Sequence, residues 1–276
     1  MGMKLGFNGA TSMKCADLPK DVEIARAAGY DVLEIWGAKL KEYLDSHSLA
    51  ELKSLFGAGG IRPYSINSIE FITFKRGAEW DKIVDACHYY CRIASAIGCP
   101  NVVVVPSPRP AGVSDEDVVD ESVRALKELS EIANGYGIRL AFEFLGFDWC
   151  SVMTLGQCNK IVEAVDRDNV GMVLDTFHFF AGGSELDFID HVEPWKLFIF
   201  HINDAEDIPR RQLQDANRLF PGDGVIPLKE IIQRLRRIGY GGVASVELFR
   251  PEYWQWDPLK LAETAREKTL KVLRAV

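Results

Sequence analysis

The sequence predicts a (β/α)8 barrel, an α/β fold in which eight parallel strands alternate with helices. Short runs rich in Val, Ile and Phe alternate with longer segments of helical periodicity, and eight such units fit within 276 residues. The runs are almost continuously apolar, as is typical of parallel strands that are covered on both faces.

The predicted strands recur along the whole chain. They are KLGFN (4–8), YDVLEIW (30–36), RPYSINS (62–68), NVVVVP (101–106), IRLAFEFL (138–145), VGMVLD (170–175), KLFIFHIND (196–204) and GVASVELF (242–249). Helical patterns such as EWDKIVDACHYYCRIASAIG lie between them, and DPLKLAETAREKTLKVLRAV closes the chain. Glycines in AAGYDV, GYGIRL and RIGYGGV mark the end of a helix just before a strand begins.

An open, doubly wound sheet is the alternative fold. That fold would place a G-x-G-x-x-G phosphate turn after an early strand, and the first strand-to-helix junctions contain none. The sequence also contains no linker or low-complexity segment. We therefore expect residues 1–276 to form a single barrel domain.

Composition narrows the classes of function. A formal net charge of -8 argues against a surface built for a nucleic-acid backbone, which Lys and Arg side chains must neutralise. The N-terminal segment has no signal-peptide core, and no segment is as long as a membrane span. The six scattered cysteines suggest reduced thiols. We expect a cytoplasmic protein that binds neither nucleic acid nor membrane and that could form a homo-oligomer.

Carboxylates and imidazoles stand where the last four predicted strands end. The set comprises Glu143, Asp175, His201 and Glu247, and His178 follows Asp175 closely. In a barrel the C-terminal strand ends share one face, where the chemistry takes place. Asp175 and His178 can converge there only if the chain turns after Asp175. These oxygen-rich ligands, with no cysteine among them, favour one divalent cation such as Mn²⁺, Mg²⁺, Co²⁺ or Zn²⁺.

Each of these residues also has a purely structural interpretation. A single buried glutamate could pair with Arg139, and a single histidine could be a hydrogen-bonded core residue. Several ionisable groups buried together are costly unless they are paired or bind a metal. Taken jointly, the set therefore favours a metal site.

These residues carry a family resemblance that runs from Lys4 to the C-terminus. Glu143 and the segments LDTFHFF, HIND and SVELFRPEYW resemble the xylose-isomerase-like barrels, a superfamily of sugar isomerases and epimerases. The longer segments DRDNVGMVLDTFHF, RLFPGDG and VELFRPEYW are similar to the inosose isomerase (2-keto-myo-inositol isomerase) group within it. The resemblance implies a metal-dependent isomerase of inositol catabolism, with Glu143, Asp175, His201 and Glu247 as ligands and His178 lining the site.

Other branches of the superfamily fit less well. Ketose 3-epimerases usually carry an Arg a few residues after the histidine of the seventh strand, whereas NDAEDIPRR places Arg210 and Arg211 later. The endonuclease branch needs more histidines and a surface that holds DNA. A related sugar isomerase, a ketose epimerase and an inosose dehydratase remain alternatives, and a non-catalytic polyol sensor is the alternative outside enzymes.

The implied chemistry is a shift of a carbonyl along the inositol ring, as from 2-keto-myo-inositol to 1-keto-D-chiro-inositol, through an enediolate. A divalent cation would stabilise the developing negative charge. Glu143 and Glu247 are the candidate bases. His178 could donate a hydrogen bond to the migrating carbonyl oxygen, or it could orient a metal ligand.

Substrate contacts are predicted from three further positions. The segment 203–224 is long for a loop between a strand and its helix, so it is expected to be functional, and the resemblance implies a role for Arg218 within it. Asn8 and Asn67, at the ends of the first and third strands, could hydrogen-bond hydroxyls of a cyclitol or sugar. Glu34 is expected to pair with a neighbouring strand end.

Overall fold

The computed structural model describes residues 2–57 and 59–276 and contains a closed barrel of eight parallel strands. The barrel strands are β1 (Lys4–Asn8), β2 (Val32–Trp36), β3 (Arg62–Ile69), β4 (Asn101–Val104), β5 (Arg139–Glu143), β6 (Val170–Asp175), β7 (Leu197–Ile202) and β10 (Val243–Val246). The last strand, β10, pairs with β1 and closes the barrel. The structure confirms the predicted fold, and each predicted apolar run overlaps one strand of the barrel.

Helices connect the strands and pack around the barrel. They are α1 (Leu18–Ala28), α2 (Gly37–Leu44), α3 (Leu49–Gly57), α4 (Ala78–Ile97), α5 (Asp115–Gly135), α6 (Leu155–Val165), α7 (Thr176–Ala181), α8 (Leu228–Arg237) and α9 (Pro258–Arg274). The segment 203–224 adds a small antiparallel ribbon, β8 (Asp204–Ala205) with β9 (Arg218–Leu219). Among the described helices, none has the length and apolar character needed to cross a bilayer.

Local sequence explains where the helices begin and end. At the start of α5, Ser114 and Asp117 form a reciprocal capping box, in which each side chain bonds the backbone N–H of the other residue. At the end of α1, Gly29 adopts φ of 82°, a left-handed conformation that costs glycine little. The chain can therefore turn there into the next strand.

The side chains inside the barrel set the position of the functional site. A small apolar cluster is formed by Val103, Val105, Ala141, Val173, Phe198 and Ile199. Residues two apart in a strand face the same side, so Asp175 shares the inward face of Val173, and His201 shares that of Ile199. On the inward face of each of these two strands, the residue of the apolar cluster comes two residues before the polar one. Asp175 and His201 therefore lie at the C-terminal end of the barrel.

Candidate metal centre

Four buried side chains converge at the C-terminal end of the barrel. One ligand atom from each of Glu143, Asp175, His201 and Glu247 can be chosen so that all four atoms lie within 4.8 Å of one another. Asp175 and His201 are direct partners in the register of β6 and β7. The structure therefore brings together the four residues that the sequence marked as candidate ligands.

His201 lies between three carboxylates near its Nδ1 atom and one carboxylate near its Nε2 atom. Its Nδ1 atom lies 3.0 Å from Glu143 Oε1, 3.3 Å from Glu247 Oε2 and 3.8 Å from Asp175 Oδ2. Its Nε2 atom lies 3.0 Å from Oε1 of Glu34 on β2. Nδ1 consequently faces the candidate ligands, while Glu34 fixes the orientation of the ring from the other side.

Glu34 belongs to a buried hydrogen-bond network of its own. The Ser65 hydroxyl donates to Glu34 Oε2 over 2.5 Å, and the Asn8 amide lies 3.4 Å from Glu34 Oε1. Burial alone would raise the pKa of Glu34, but the charge of His201 and hydrogen bonds outweigh it and lower that pKa. Glu34 thus reaches His201 of β7, which is not a sheet neighbour of β2. Arg139, weighed as a partner for a buried glutamate, lies instead over the ring of Phe198.

The electrostatics of the cluster suit a cation. Burial raises the pKa of Glu143 to about 7, against the opposing charge of His201. Burial alone would lower the pKa of His201, yet the charges of Glu247, Glu34 and Glu143 raise it well above its ordinary value. Four buried carboxylates, including Asp175, share one imidazole and one guanidinium. A divalent cation would compensate this excess of buried negative charge.

Arg218 provides the one guanidinium of the cluster and is itself only 1% exposed. Its Nη1 atom lies 2.7 Å from Asp175 Oδ2 and 3.2 Å from Glu247 Oε2. The rings of Phe177 and Phe249 lie 4.8 Å and 5.1 Å from its Cζ atom. Burial would raise the pKa of Asp175, but the charge of Arg218 contributes most to lowering it to about 2.

Arg218 also determines the protonation of His178. Asp175 ends β6 and caps α7, and its Oδ1 accepts from the His178 backbone N–H at 2.8 Å, so the chain turns as expected. Arg218 Nη2 lies 3.0 Å from His178 Nε2. A guanidinium can only donate, so Nε2 accepts and the ring proton resides on Nδ1. Burial and the nearby charge of Arg218 lower the pKa of His178, which favours its neutral form.

Two asparagines hold Glu247 in place. Asn8 Nδ2 donates to Glu247 Oε1 over 2.9 Å, and Asn67 Nδ2 donates to the same oxygen over 2.8 Å. Both amides were expected to contact substrate hydroxyls. In the structure both amides fix Glu247, and Asn67 also lines the cavity beside the cluster; contact of either amide with substrate stays a prediction.

A cavity of about 290 Å³ adjoins the cluster. Glu143, His178, Arg218 and Glu247 are among its polar lining residues, and the aromatic ones are Trp36, Phe71, Phe147, Trp149 and Phe249. A largely apolar cavity with a few convergent polar groups is typical of a small-molecule site. These aromatic residues lie in irregular loops or at strand ends, where no pattern in the sequence indicates a role for them.

The segment 203–224 contributes to this site through Arg218. The buried carboxylate of Asp204 accepts from the backbone N–H groups of Ala205, Gly222 and Ile226 at 2.9, 3.0 and 2.8 Å. These bonds anchor both ends of the segment. Arg218 begins β9 within it, and its side chain lies against the candidate ligands.

Comparisons with known proteins agree with this geometry. A family model described as "Xylose isomerase-like TIM barrel" matches residues 22–276. An inosose isomerase of Halalkalibacterium halodurans is 40% identical over 98% of this chain and 96% of its own length. The inosose isomerase of Bacillus subtilis is 39% identical over 98% of each chain. A crystal structure of the IOLI protein with a zinc atom has a TM-score of 0.96, 38% identity and 99% coverage of both chains.

Proposed function

Because this chain belongs to the xylose isomerase-like TIM-barrel family, we propose that it interconverts keto-inositols by moving a ring carbonyl to a neighbouring carbon. The main observation in support is the convergence of three carboxylates and His201 beside a cavity lined by polar and aromatic groups. The inosose isomerases that match along almost the whole chain support the choice of substrate.

Glu143, Asp175, His201 and Glu247 would hold one divalent cation. Three oxygen ligands and one imidazole suit Mn²⁺, Mg²⁺, Co²⁺ or Zn²⁺. When bound there, the cation supplies Lewis acidity, which stabilises negative charge on nearby substrate oxygens. The excess of buried carboxylates described above supports this assignment.

The chain itself moves the protons. A carbonyl shift requires that the C–H bond beside the ketone breaks and that its electron pair forms the C=C bond of an enediolate while the carbonyl π pair moves to the ketone oxygen, which gains a proton. A proton then returns to the former carbonyl carbon as the neighbouring hydroxyl oxygen loses its proton and forms the new C=O bond. Glu143 and Glu247 line the cavity and are the candidate bases for the two transfers at carbon. Glu247 receives hydrogen bonds from Asn8 and Asn67, so the position of its carboxylate is fixed before substrate binds.

His178, Arg218 and Asn67 would orient the substrate. His178 lines the cavity with a neutral ring whose Nε2 accepts from Arg218, while its Nδ1–H is buried, so His178 would act by orienting the Arg218 guanidinium towards the substrate. Arg218 and Asn67 present further N–H donors at the same cavity. Substrate hydroxyls are suitable acceptors for these groups.

The cellular setting remains a prediction. All six cysteines are free thiols, which suits a reducing cytoplasm. We also propose that the partner is a small cyclitol and that the chain could assemble as a homo-oligomer.

Proton NMR of inosose with the metal-loaded protein in deuterated water tests the proposed function. We expect loss of the signal from the C–H beside the ketone, together with resonances of a second keto-inositol. An alkene signal would indicate dehydration instead. Turnover of an open-chain ketose but not of inosose would favour an epimerase, and binding without exchange would favour a sensor.

A further inference from the structure

Two strongly exposed aromatic side chains stand at one cavity. Phe71 is 36% exposed and Trp149 is 44% exposed, and both line the cavity beside the candidate ligands. Isolated exposed apolar residues are ordinary on protein surfaces, whereas a group of them at a cavity with convergent polar groups indicates a binding surface.

The two rings meet from different loops. Phe71 lies between β3 and α4, and Trp149 lies between β5 and α6; their ring centroids are 6.2 Å apart in an edge-to-face arrangement. Trp149 also stacks on Phe147, with centroids 5.6 Å apart and an interplanar angle of 20°. We call Phe71, Phe147 and Trp149 the aromatic clamp.

The loops that bear the clamp are fixed to a common support. Thr73 and Ser107 bond each other's backbone N–H groups, at 3.1 Å and 2.9 Å. The Ser151 hydroxyl donates to the Ser107 carbonyl over 2.7 Å, and the Arg109 N–H donates to the Trp149 carbonyl over 2.8 Å. The segment after β4 therefore ties the loops after β3 and β5 together through largely buried hydrogen bonds.

The loop that carries Phe71 is also held in an unfavourable backbone conformation. Phe71 has φ of 59° and Phe74 has φ of 58°, in a region that bulky residues rarely adopt. Next to Phe71, the Ile72 N–H donates to the Val105 carbonyl over 3.1 Å, and the Phe74 N–H donates to Glu121 over 2.8 Å. Such conformations persist where the surroundings enforce them, and they cluster at ligand sites.

We infer that the aromatic clamp recognises the C–H face of a ring and thereby selects cyclic polyols over open-chain ones. This inference rests on the proposed function for the class of substrate. In a chair-shaped cyclitol whose hydroxyls are mostly equatorial, the axial C–H bonds form an apolar face. Aromatic rings attract such a face, while the hydroxyl edge remains free for the polar side of the cavity. An extended polyol offers no comparable flat face.

Steady-state kinetics with inosose and the metal-loaded protein test the clamp. Phe71→Ala and Trp149→Ala should each raise KM roughly threefold to tenfold, the effect of losing one aromatic contact, with kcat within about twofold of wild type. Trp149→Phe should recover most of the loss. Trp195→Ala is the matched control, since Trp195 is 54% exposed and lines no part of this cavity. Wild-type KM values in both Ala variants, or a loss confined to kcat, would overturn the inference.

A comparison of the affinities for two six-carbon polyols, each with six hydroxyls, tests whether the protein distinguishes a cyclic from an open-chain ligand. Wild-type protein should bind myo-inositol more tightly than D-mannitol, and Trp149→Ala should lose most of that preference. Calorimetric binding needs no turnover, so this result stays informative even if inosose proves not to be a substrate. An equal affinity for both polyols in wild type, or an unchanged preference in the variant, would refute ring recognition. If an Ala variant fails to fold, Trp149→Phe and Phe71→Leu replace it, with smaller shifts in the same direction expected.

Discussion

Replacing Glu34 should weaken cation binding, although Glu34 is not one of the four candidate ligands. Its Oε1 atom lies 3.0 Å from Nε2 of His201, the nitrogen that points away from the ligand cluster. A carboxylate in this position fixes which nitrogen faces the ion and raises the basicity of the ring. Losing such a partner typically costs 10- to 100-fold in metal affinity, or about 1.4–2.8 kcal/mol.

The contacts of Glu34 indicate which of two substitutions should cost more metal affinity. Glu34→Gln keeps an oxygen for His201 Nε2, and the Ser65 hydroxyl can rotate to accept from the new amide group, so the main loss is the charge. We expect about a tenfold loss of affinity. Glu34→Ala also removes the acceptor of His201 and Ser65, so we expect about a 100-fold loss.

Competition with a chromophoric chelator of known affinity measures these changes. Ser65→Ala is a matched control, since it removes only the hydroxyl that donates to Glu34 Oε2 and should change affinity less than about threefold. A wild-type affinity in Glu34→Ala would show that His201 needs no carboxylate to hold its orientation. The proposed role of Glu34 would then be wrong.

Further predictions concern the ligands, the bases and Glu121, a carboxylate that accepts from Arg76 and Arg124. Chelation should abolish turnover while the far-UV circular dichroism persists, because eight paired strands do not depend on one ion; loss of that signal would contradict this. His201→Ala should lose the cation in metal analysis, and full occupancy would exclude His201 as a ligand. Glu143→Gln and Glu247→Gln should each slow exchange of the hydrogen beside the ketone about 10²- to 10⁴-fold, as followed by NMR, and wild-type exchange in both would assign the base elsewhere. Burial would raise the pKa of Glu121, but hydrogen bonds from arginines lower it from 4.5 to about 2. Above pH 4.5 the free energy of unfolding should therefore be larger for wild type than for Glu121→Gln, and this difference should disappear towards pH 2. Urea unfolding at pH 7 and pH 3 measures the difference. A difference that is the same at both pH values would contradict the prediction.

The barrel was predictable because every strand is buried on both faces and leaves an apolar run in the sequence. The predicted ends of the strands were less accurate. The predicted fourth strand reaches residue 106, whereas β4 ends at Val104, and the predicted fifth reaches residue 145, whereas β5 ends at Glu143. Val105 and Phe144 are buried although they lie beyond the last paired residues of β4 and β5. An apolar run therefore indicates which residues are buried, and it overestimates the length of the strand. That residues 1–276 form a single domain stays a prediction.

The candidate ligands were visible in the sequence because a polar residue at the end of an apolar strand is unusual. Glu34 satisfies the same criterion in VLEIW, but its partner His201 lies on a strand that is not adjacent in the sheet. The contacts of Arg218 were not predictable either. It lies 43 residues after Asp175 in a segment with little regular structure, and only the folded chain places its guanidinium on that carboxylate.

The hydrogen bonds around the two candidate bases, Glu143 and Glu247, differ in number. Glu247 accepts from both Asn8 and Asn67 through Oε1 and from Arg218 through Oε2, so three donors fix the position of its carboxylate. Glu143 has only His201 as a side-chain partner among the described residues. A carboxylate with several donors loses more when it accepts a proton, since each charge-assisted bond weakens. Glu143 is therefore the better group to take the proton from the carbon beside the ketone, and Glu143→Gln should show the slower exchange of the two variants.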